Sequence, residues 1–545
     1  MRDAALAASA VLFAVATTVA TQVPQPPAPH DHGTPTARVG AVHFATSCAP
    51  AVQSTFDRGI AFLHSFWFSA AVETFDDVLK ADPSCGMARW GIAMSWWSNP
   101  FAGFRSPQAL AAGRAAIDAA RASGGGTDRE QAYLLAVAQL FRDTDTRDQR
   151  TRIVAYENAM AALVARWPDD VEARIFYALA LGQSALPTDK TYANQLKAAA
   201  LLEEEFARQP EHPGLAHYII HSFDVPPLAA RALTAARRYA AIAPDAAHAL
   251  HMPSHTFTRL GLWEDSIATN LKSAAAAHRD PGAASEELHA LDYQVYAYLQ
   301  TAQDTAASRT LPLVPPLSAK IPSAGIGNAA PPSAGYYAAA AIPARYAIER
   351  EAWGDAASLA PVESPFAYAT AVTCFARALG AARSGQVEAA RVEVARLAAL
   401  RDSLGAAKDA YWTEQVEIQR LGAAAWVALA AGQQVEALTL MREAATREDA
   451  TEKAAVTPGP IKPARELLGE MLLQAKQPAG ALGAFEATLT KEPNRFRAVY
   501  GAARAARAAG NATAAARHYA ALVRITKSGD RPGRSEVREA LASTR

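Results

Sequence analysis

The chain is poor in cysteine, has no excess of either charge, and has no long apolar run beyond its N-terminus. It carries 3 cysteines in 545 residues, too few for a disulfide-rich scaffold. Basic and acidic residues both number 53, and this balance argues against nucleic acid as a general partner. No internal apolar run approaches the roughly 18 residues that a membrane helix needs, so we predict no transmembrane span in the mature chain.

The N-terminus differs from the rest of the chain. Residues 1–20, MRDAALAASAVLFAVATTVA, combine a short charged start, an apolar stretch and small residues near Ala20. This pattern is typical of a secretory signal peptide and predicts an exported, periplasmic protein; an uncleaved anchor is the alternative. Residues 21–46 are rich in Pro, Gly and Thr and predict a disordered leader.

A spacing pattern recurs along the chain with a period of about 34 residues. Near the N-terminus it is formed by Gly59, Ala71, Phe75, Val78 and Pro83. Near the C-terminus the same spacings are formed by Gly469, Ala481, Phe485, Thr488 and Pro493, and the next unit has Ala503, Gly510, Ala515, Tyr519 and Leu522. Further units end at Pro168, Pro210 and Pro244.

This pattern resembles the tetratricopeptide repeat (TPR), in which two antiparallel helices meet at small residues. The resemblance implies an all-α fold, an α-solenoid of about 10–12 helix-turn-helix units that binds a protein or peptide partner in a concave groove. The segments HYIIHSFD, HALHMPSHTFTRLGLWEDS and EPNRFRAVYGAARAA also resemble a group of exported bacterial TPR proteins without an established activity.

The repeats and the irregular stretches between them divide the chain into regions. After the leader we predict an N-terminal solenoid at 47–310, a Pro/Gly-rich connection at 311–335, a C-terminal solenoid at 336–530 and a tail at 531–545. The connection either separates the two solenoids or lies over the concave face. Cys48 and Cys85 flank the first hairpin, whose two ends are neighbours, so we predict a disulfide between them in an oxidising compartment.

Histidines are concentrated in two short stretches. The chain has 13 histidines, and six of them lie between His212 and His255. His217 and His221 are four residues apart, and so are His251 and His255. Residues with this spacing lie on one face of a helix.

The two pairs occupy the same places in adjacent repeats. His217 and His251 are 34 residues apart, as are His221 and His255. Counted from the start of each 34-residue repeat, His217 and His251 are at position 5, and His221 and His255 are at position 9. His248 and His289 are at position 2. In the TPR family these three positions of the first helix line the groove. The resemblance therefore implies a ligand groove formed by His217, His221, His248, His251, His255, His289 and Asp292.

Four of these imidazoles suggest a metal site. We predict that His217, His221, His251 and His255 meet at one transition-metal ion, zinc or copper, because imidazole suits both. Asp292 could be a further ligand or accept a hydrogen bond from an imidazole. His64, five repeats away, is not expected near this cluster. A metal-free groove for an acidic peptide, or purely structural histidines, are the alternatives.

Motifs of known enzymes are missing around these histidines. The zincin pattern needs Glu after its first His, whereas Tyr218 follows His217. We find no convincing nucleophile elbow or phosphate-binding loop. We therefore predict a binding or scaffold protein with a metal site, and leave a metal-dependent hydrolase as the alternative.

Overall fold

The computed structural model describes residues 36–124, 126–322 and 326–544. The predicted signal peptide and residues 21–35 of the predicted leader lie outside these residues. In the described part the structure is helical without strands. The helices are α1 (Gln53–His64), α2 (Phe68–Ala81), α3 (Gly86–Trp97), α4 (Pro107–Ser123), α5 (Asp128–Phe141), α6 (Gln149–Arg166), α7 (Val171–Ser184), α8 (Ala193–Arg208), α9 (Pro213–Ser222), α10 (Leu233–Ile242), α11 (Ala247–His251), α12 (Pro253–Arg259), α13 (Trp263–Ala277), α14 (Ala284–Gln300), α15 (Asp304–Ser308), α16 (Val314–Ser318), α17 (Pro332–Glu349), α18 (Trp353–Ala357), α19 (Ala367–Arg383), α20 (Val387–Ala406), α21 (Ala410–Ala430), α22 (Gln434–Asp449), α23 (Ala464–Gln474), α24 (Pro478–Lys491), α25 (Phe496–Ala508), α26 (Ala512–Ile525) and α27 (Ser535–Ser543).

The helices pack as consecutive hairpins, so the predicted all-α solenoid is confirmed. Each hairpin packs on the next, as α1–α2 does on α3–α4 and α23–α24 does on α25–α26. In one hairpin the first helix is divided into α11 and α12 at Met252, because Pro253 lacks the backbone N–H that would continue the helix. The repeat period thus corresponds to one hairpin.

The recurring Gly and Phe positions mark the crossings between helices. A Cβ atom on Gly59 or Gly91 would lie 2.6 or 2.4 Å from the ring of Phe75. In the C-terminal repeats, Gly469 and Gly501 stand in the same relation to Phe485. Glycine is needed there because a ring from one hairpin fills the space against two neighbouring helices.

The solenoid curves so strongly that repeats far apart in sequence touch. The first helix, α1, packs against α9 of the fifth hairpin. On the other side, the Trp263 indole donates to the carbonyl of Asn494 at 2.9 Å, and Tyr296 donates to Glu492 at 2.6 Å. The N-terminal and C-terminal repeats therefore enclose a common interior.

The predicted disordered leader is wrong for residues 36–46, which are ordered and lie against the repeats. Phe44 is buried and its ring lies 5.1 Å from that of Tyr133, centroid to centroid. The Ala41 N–H donates to the carbonyl of Glu211 at 3.0 Å. Composition predicted disorder, but buried apolar side chains and backbone pairing order this segment.

The predicted connection at 311–335 contains helix α16 and then crosses the interior. Asn328 Oδ1 accepts a hydrogen bond from Ser69 at 3.0 Å, and the Ala329 carbonyl accepts one from Asn99 at 2.8 Å. The Ala330 N–H donates to Glu286 at 2.8 Å. Residues 328–330 thus connect the two N-terminal hairpins to α14, and the two alternatives for the whole segment stay predictions.

The predicted tail at 531–545 contains helix α27. Its Val537 and Ala540 are buried against the last hairpin, so this helix belongs to the solenoid.

Two further predictions concern the disulfide and the membrane span. Cys48 and Cys85 form the predicted disulfide, with an S–S distance of 2.06 Å. Within the described residues, no helix is both long enough and apolar enough to span a bilayer.

The helix crossings generate a stability prediction. We expect Gly91→Ala to lower the melting temperature, because its Cβ would meet the Phe75 ring at 2.4 Å and overpacking costs about 1–3 kcal/mol. Gly483→Ala is the matched control: it is an exposed helical glycine with no atom near a new Cβ. The control should gain up to about 1 kcal/mol from helix propensity. Circular dichroism measures the melting temperatures of both variants. Equal melting temperatures would contradict the proposed packing of the Phe75 ring against Gly91.

Candidate metal centre

Six histidines come together where consecutive first helices lie side by side. His217 and His221 lie on α9, whose first residue is Pro213. Helices α11, α12 and α14 carry the other four: His248, His251, His255 and His289. The four-residue spacing places each pair on one helix face, and stacking of the repeats brings the faces together.

The six imidazoles form two groups of three. The first triad is His217, His221 and His248, and the second triad is His251, His255 and His289. Within each triad one ligand nitrogen per residue lies within 4.8 Å of the others. The rings of His221 and His255, one from each triad, are 6.0 Å apart between centroids, so the triads are neighbours.

The two triads are built in the same way, one repeat apart. Each takes repeat positions 5 and 9 from one hairpin and position 2 from the next. The third members, His248 and His289, are 41 residues apart because the hairpin between them is longer than 34 residues. The centre is therefore a duplicated three-imidazole site.

Hydrogen bonds on the far side of the rings fix which nitrogen carries the proton. His217 Nδ1 lies 2.7 Å from the backbone carbonyl of His64, which can only accept. His251 Nδ1 lies 2.7 Å from Asn270 Oδ1, while the Asn270 amide nitrogen donates to the Ser266 carbonyl. In both rings Nδ1 is the donor, and in the neutral imidazole Nε2 keeps its lone pair.

The second triad places two such lone pairs face to face. His255 Nδ1 donates to the Asp224 carboxylate at 2.8 Å, so its Nε2 is also the acceptor nitrogen. The Nε2 atoms of His251 and His255 are 3.1 Å apart. Two lone pairs at this distance repel each other unless a cation lies between them. Tetrahedral coordination at about 2.0–2.1 Å would place two nitrogens about 3.3 Å apart, so the spacing suits a metal ion.

The first triad has the same short spacing. His217 Nε2 lies 3.1 Å from Nε2 of both His221 and His248. Because the proton of His217 is on Nδ1, this nitrogen could accept from only one neighbour in a metal-free arrangement. One ligand nitrogen from each of the three rings lies within 4.8 Å of the others, a spacing that the ligands of one ion could have.

Burial keeps the imidazoles uncharged. Five of the six are buried, and His221 is half-buried. Burial lowers the pKa of every triad histidine, and it lowers the pKa to about 3 for His217 and His289. Neutral imidazole is the form that binds metal, so no proton has to leave these rings near neutral pH.

Asp224 connects the second triad to the C-terminal repeats. Its carboxylate accepts from His255, from Arg259 at 2.9 Å and from Lys453 at 3.0 Å. Although burial raises the pKa of Asp224, the cations Lys453 and Arg259 hold it well below its ordinary value. An ionised carboxylate behind a ligating imidazole raises its basicity and orients the ring.

Residues from distant repeats cover the centre. The Phe66 ring packs 4.3 Å from the ring of His217, and Phe101 stacks on His221 at 4.1 Å, centroid to centroid. On the second triad, Tyr293 packs at 4.7 Å from His251 and donates to the carbonyl of Thr457 at 3.1 Å. The predicted groove histidines therefore face the interior, but they lie in a packed centre instead of an open groove.

His64 supports the first triad, contrary to the expectation from sequence. Its carbonyl accepts from His217, and its ring nitrogens lie 2.9 Å from Tyr218 and from Glu172. His212 contacts the same Glu172 carboxylate at 2.9 Å. The strong curvature of the solenoid, which brings α1 to α9, explains why counting repeats along the chain failed here.

Other predicted site residues are arranged differently from the sequence-based hypothesis. His217, His221, His251 and His255 do not form one four-ligand group, because each pair is completed by a third histidine of the following repeat. Asp292 is fully buried and its carboxylate pairs with Arg345 at 2.7 Å, so it is neither a ligand nor an acceptor for the triads. Lys453, Asn270 and Phe66 had no sequence signal that would have indicated their contacts with the centre.

The donor set restricts the kind of metal ion. Six neutral imidazoles suit zinc, copper, iron or nickel and are a poor match for magnesium or calcium, which prefer oxygen ligands. Three protein ligands per ion leave a coordination position for water or another ligand, as in catalytic zinc sites. Chemically, the arrangement can hold two transition-metal ions and polarise a molecule bound to them.

Comparisons with known proteins show only distant structural likeness. No protein-family model matches the chain, and no curated protein sequence matches it. The Cut9–Hcn1 hetero-tetramer of the APC/C matches with a TM-score of 0.30 at 11% identity, covering 91% of this chain and 96% of that chain. Yeast Tom70 matches with 0.26 at 12% identity, covering 90% and 88%, and the P58(IPK) TPR domain with 0.21 at 14%, covering 68% and 97%. TM-scores this low do not support a fold assignment, so the assignment depends on the helical hairpins of this chain.

The role of Asp224 can be tested by a nearly isosteric change. We expect Asp224→Asn to weaken binding of one metal ion about 10- to 100-fold, the usual effect of losing a partner behind a ligating histidine. The Asp245→Asn variant is the control, because this carboxylate pairs with Arg38 at the surface. Competition with a chromophoric chelator measures both affinities. Equal affinities in the two variants would show that Asp224 does not act on the second triad.

Proposed function

We propose that this protein is an exported helical-repeat protein that binds two transition-metal ions, one at each histidine triad. The observation that carries this proposal is the pair of Nε2 lone pairs of His251 and His255, 3.1 Å apart, with both rings' protons held on Nδ1. A cation between these nitrogens removes the repulsion. Zinc and copper are the ions we propose, because the donors are imidazoles alone.

Export is supported by the disulfide between Cys48 and Cys85, since disulfides persist in oxidising compartments. The predicted signal peptide at residues 1–20 agrees with this location. We propose that the mature protein is periplasmic. Mass spectrometry of the secreted chain tests this, and a chain retained in the cytoplasm with its N-terminus intact would overturn it.

A protein or peptide partner is a further part of the proposal. It is supported by the extended surfaces that stacked helical hairpins provide. Because the triads are buried, the partner would bind outside the metal centre. Affinity capture with and without a chelator tests this role: capture that persists after chelation supports a metal-independent partner surface, and failure to capture a reproducible partner in either condition opposes it.

Metal stoichiometry provides the main prediction. We expect the purified, untagged mature chain to bind two ions per molecule after reconstitution with zinc or copper. His217→Ala and His251→Ala should each lose one ion, because each removes one ligand from a different triad, and the double variant should lose both. Elemental mass spectrometry gives the counts.

The control and the contrary outcomes are well defined. His278→Ala changes a histidine whose side chain is 71% exposed and should retain both ions. If either single variant loses all metal and the wild type holds one ion, the four-histidine single-ion arrangement is correct. If the wild type binds no zinc or copper, the proposed function is wrong.

A metal-dependent enzyme is the second candidate. It is favoured by the three-ligand triads, which leave a coordination position for water or substrate. Turnover of ester or phosphoester substrates that disappears in His251→Ala and persists in His278→Ala would support it. A metal-loaded protein without turnover on such substrates would favour the binding role.

A further inference from the structure

A cavity of about 520 Å³ lies beside the first triad, and His248 forms part of its wall. Most of the rest of the wall comes from the turn between α1 and α2, the end of α13 and the beginnings of α11 and α14, with Thr36, Ala37 and Asn328 completing it. Its volume is within the range of about 300–1,000 Å³ that is usual for small-molecule sites. Nothing in the metal-binding proposal requires this space.

One side of the cavity is apolar and aromatic. Phe66 and Trp67 line it, and the Phe66 ring is stacked 5.5 Å from the ring of His248 at an angle of 15°. Small residues such as Ala277 and Ala283 also line the cavity. An organic molecule of modest size could contact these surfaces.

Two buried donors on the wall lack a hydrogen-bond partner within the described chain. They are Trp67 Nε1 and His248 Nδ1. When His248 Nε2 binds a metal ion as a neutral imidazole, its Nδ1 carries the proton, so both groups donate. Buried donors are normally paired, and a ligand that presents oxygen atoms would supply the acceptors.

The charges on the wall offset one another. Asp245 accepts from the Arg38 backbone at 2.7 Å and lies 3.6 Å from its guanidinium, and Arg279 adjoins Asp280 in the wall. Glu286 is buried and accepts from the Ala330 N–H, and burial raises its pKa to about 7. The cavity therefore offers hydrogen bonds without a strong field of either sign.

We propose that this cavity admits a small uncharged organic molecule with a hydroxyl or carbonyl oxygen to the open coordination position of the first triad. The proposal rests on the proposed metal-binding function. His248 connects the two spaces, because one ring nitrogen faces the triad and the ring borders the cavity. The alternative route to the metal is past the half-buried His221, outside the cavity.

The test uses substitutions that fill the cavity and leave the metal-ligating histidines of the first triad unchanged. Asn328 lines the cavity from the crossing segment, so Asn328→Trp should obstruct it, and Asn328→Ala is the matched control that removes the same polar group without filling space. Both are made in a His251→Ala background, so that the first triad alone binds the metal. Ala277→Val narrows the cavity at the end of α13 as a second variant.

The probes are azide, a small metal ligand, and benzyl alcohol, an aromatic hydroxyl compound. With copper(II) bound, we expect Asn328→Trp to weaken azide binding about tenfold or more, Ala277→Val to weaken it less, and Asn328→Ala to leave it unchanged. Benzyl alcohol should compete with azide in the Asn328→Ala protein and not in Asn328→Trp. The azide charge-transfer absorption reports binding, and elemental analysis confirms equal copper content.

The outcomes separate the cavity proposal from the metal proposal. If copper is bound but azide binds all variants equally, the route past His221 is used and the cavity proposal is wrong. If benzyl alcohol does not compete in Asn328→Ala, the proposed ligand class is wrong. If the His251→Ala protein binds no copper, the first triad is not a metal site, and the cavity proposal that rests on it is wrong as well.

Discussion

The fixed position of the imidazole protons is the constraint on which the centre depends. His217, His251 and His255 each direct an Nδ1 proton to an oxygen acceptor, a backbone carbonyl, an amide oxygen and a carboxylate. Their Nε2 atoms are thereby committed as acceptors and are packed 3.1 Å from other imidazole nitrogens. Two buried acceptor nitrogens repel each other at this distance, and a cation between them removes the repulsion.

The curvature of the solenoid makes this arrangement possible. A nearly straight stack of hairpins would leave the first-helix face open, as a groove. Here α1 returns to α9 and supplies the carbonyl of His64, and the turn after α1 supplies the ring of Phe66. The segment before α23 supplies Lys453 to Asp224. The second triad thus depends on residues more than 150 positions away in sequence, and the centre joins N-terminal to C-terminal repeats.

Sequence patterns predicted the fold well and the centre in part. The 34-residue spacing of Gly59, Phe75 and their counterparts identified the helical hairpins, since these residues form the helix crossings within each local unit. The pairs at repeat positions 5 and 9 were also visible. The third ligand of each triad was visible in principle, because His248 and His289 both occupy position 2 of the following repeat. The contacts of His64 and Asp292 were not predictable, because they depend on the global curvature and on a pairing with Arg345 that local register does not determine.

The proposed metal binding would be coupled to closure of the superhelix, because both depend on the same contacts. The first triad joins α9 to α11, the second joins α11 and α12 to α14, and Asp224 extends the second triad to Lys453 in the C-terminal repeats. An ion bound in the closed arrangement and absent from the opened one stabilises closure according to its affinity and concentration. Each hairpin contacts mainly its neighbours in an ordinary solenoid, and stability is then close to a sum over adjacent units. In this chain the centre adds stabilising contacts between hairpins that are not neighbours. We therefore expect the repeats around α9–α14 to unfold together and not one hairpin at a time.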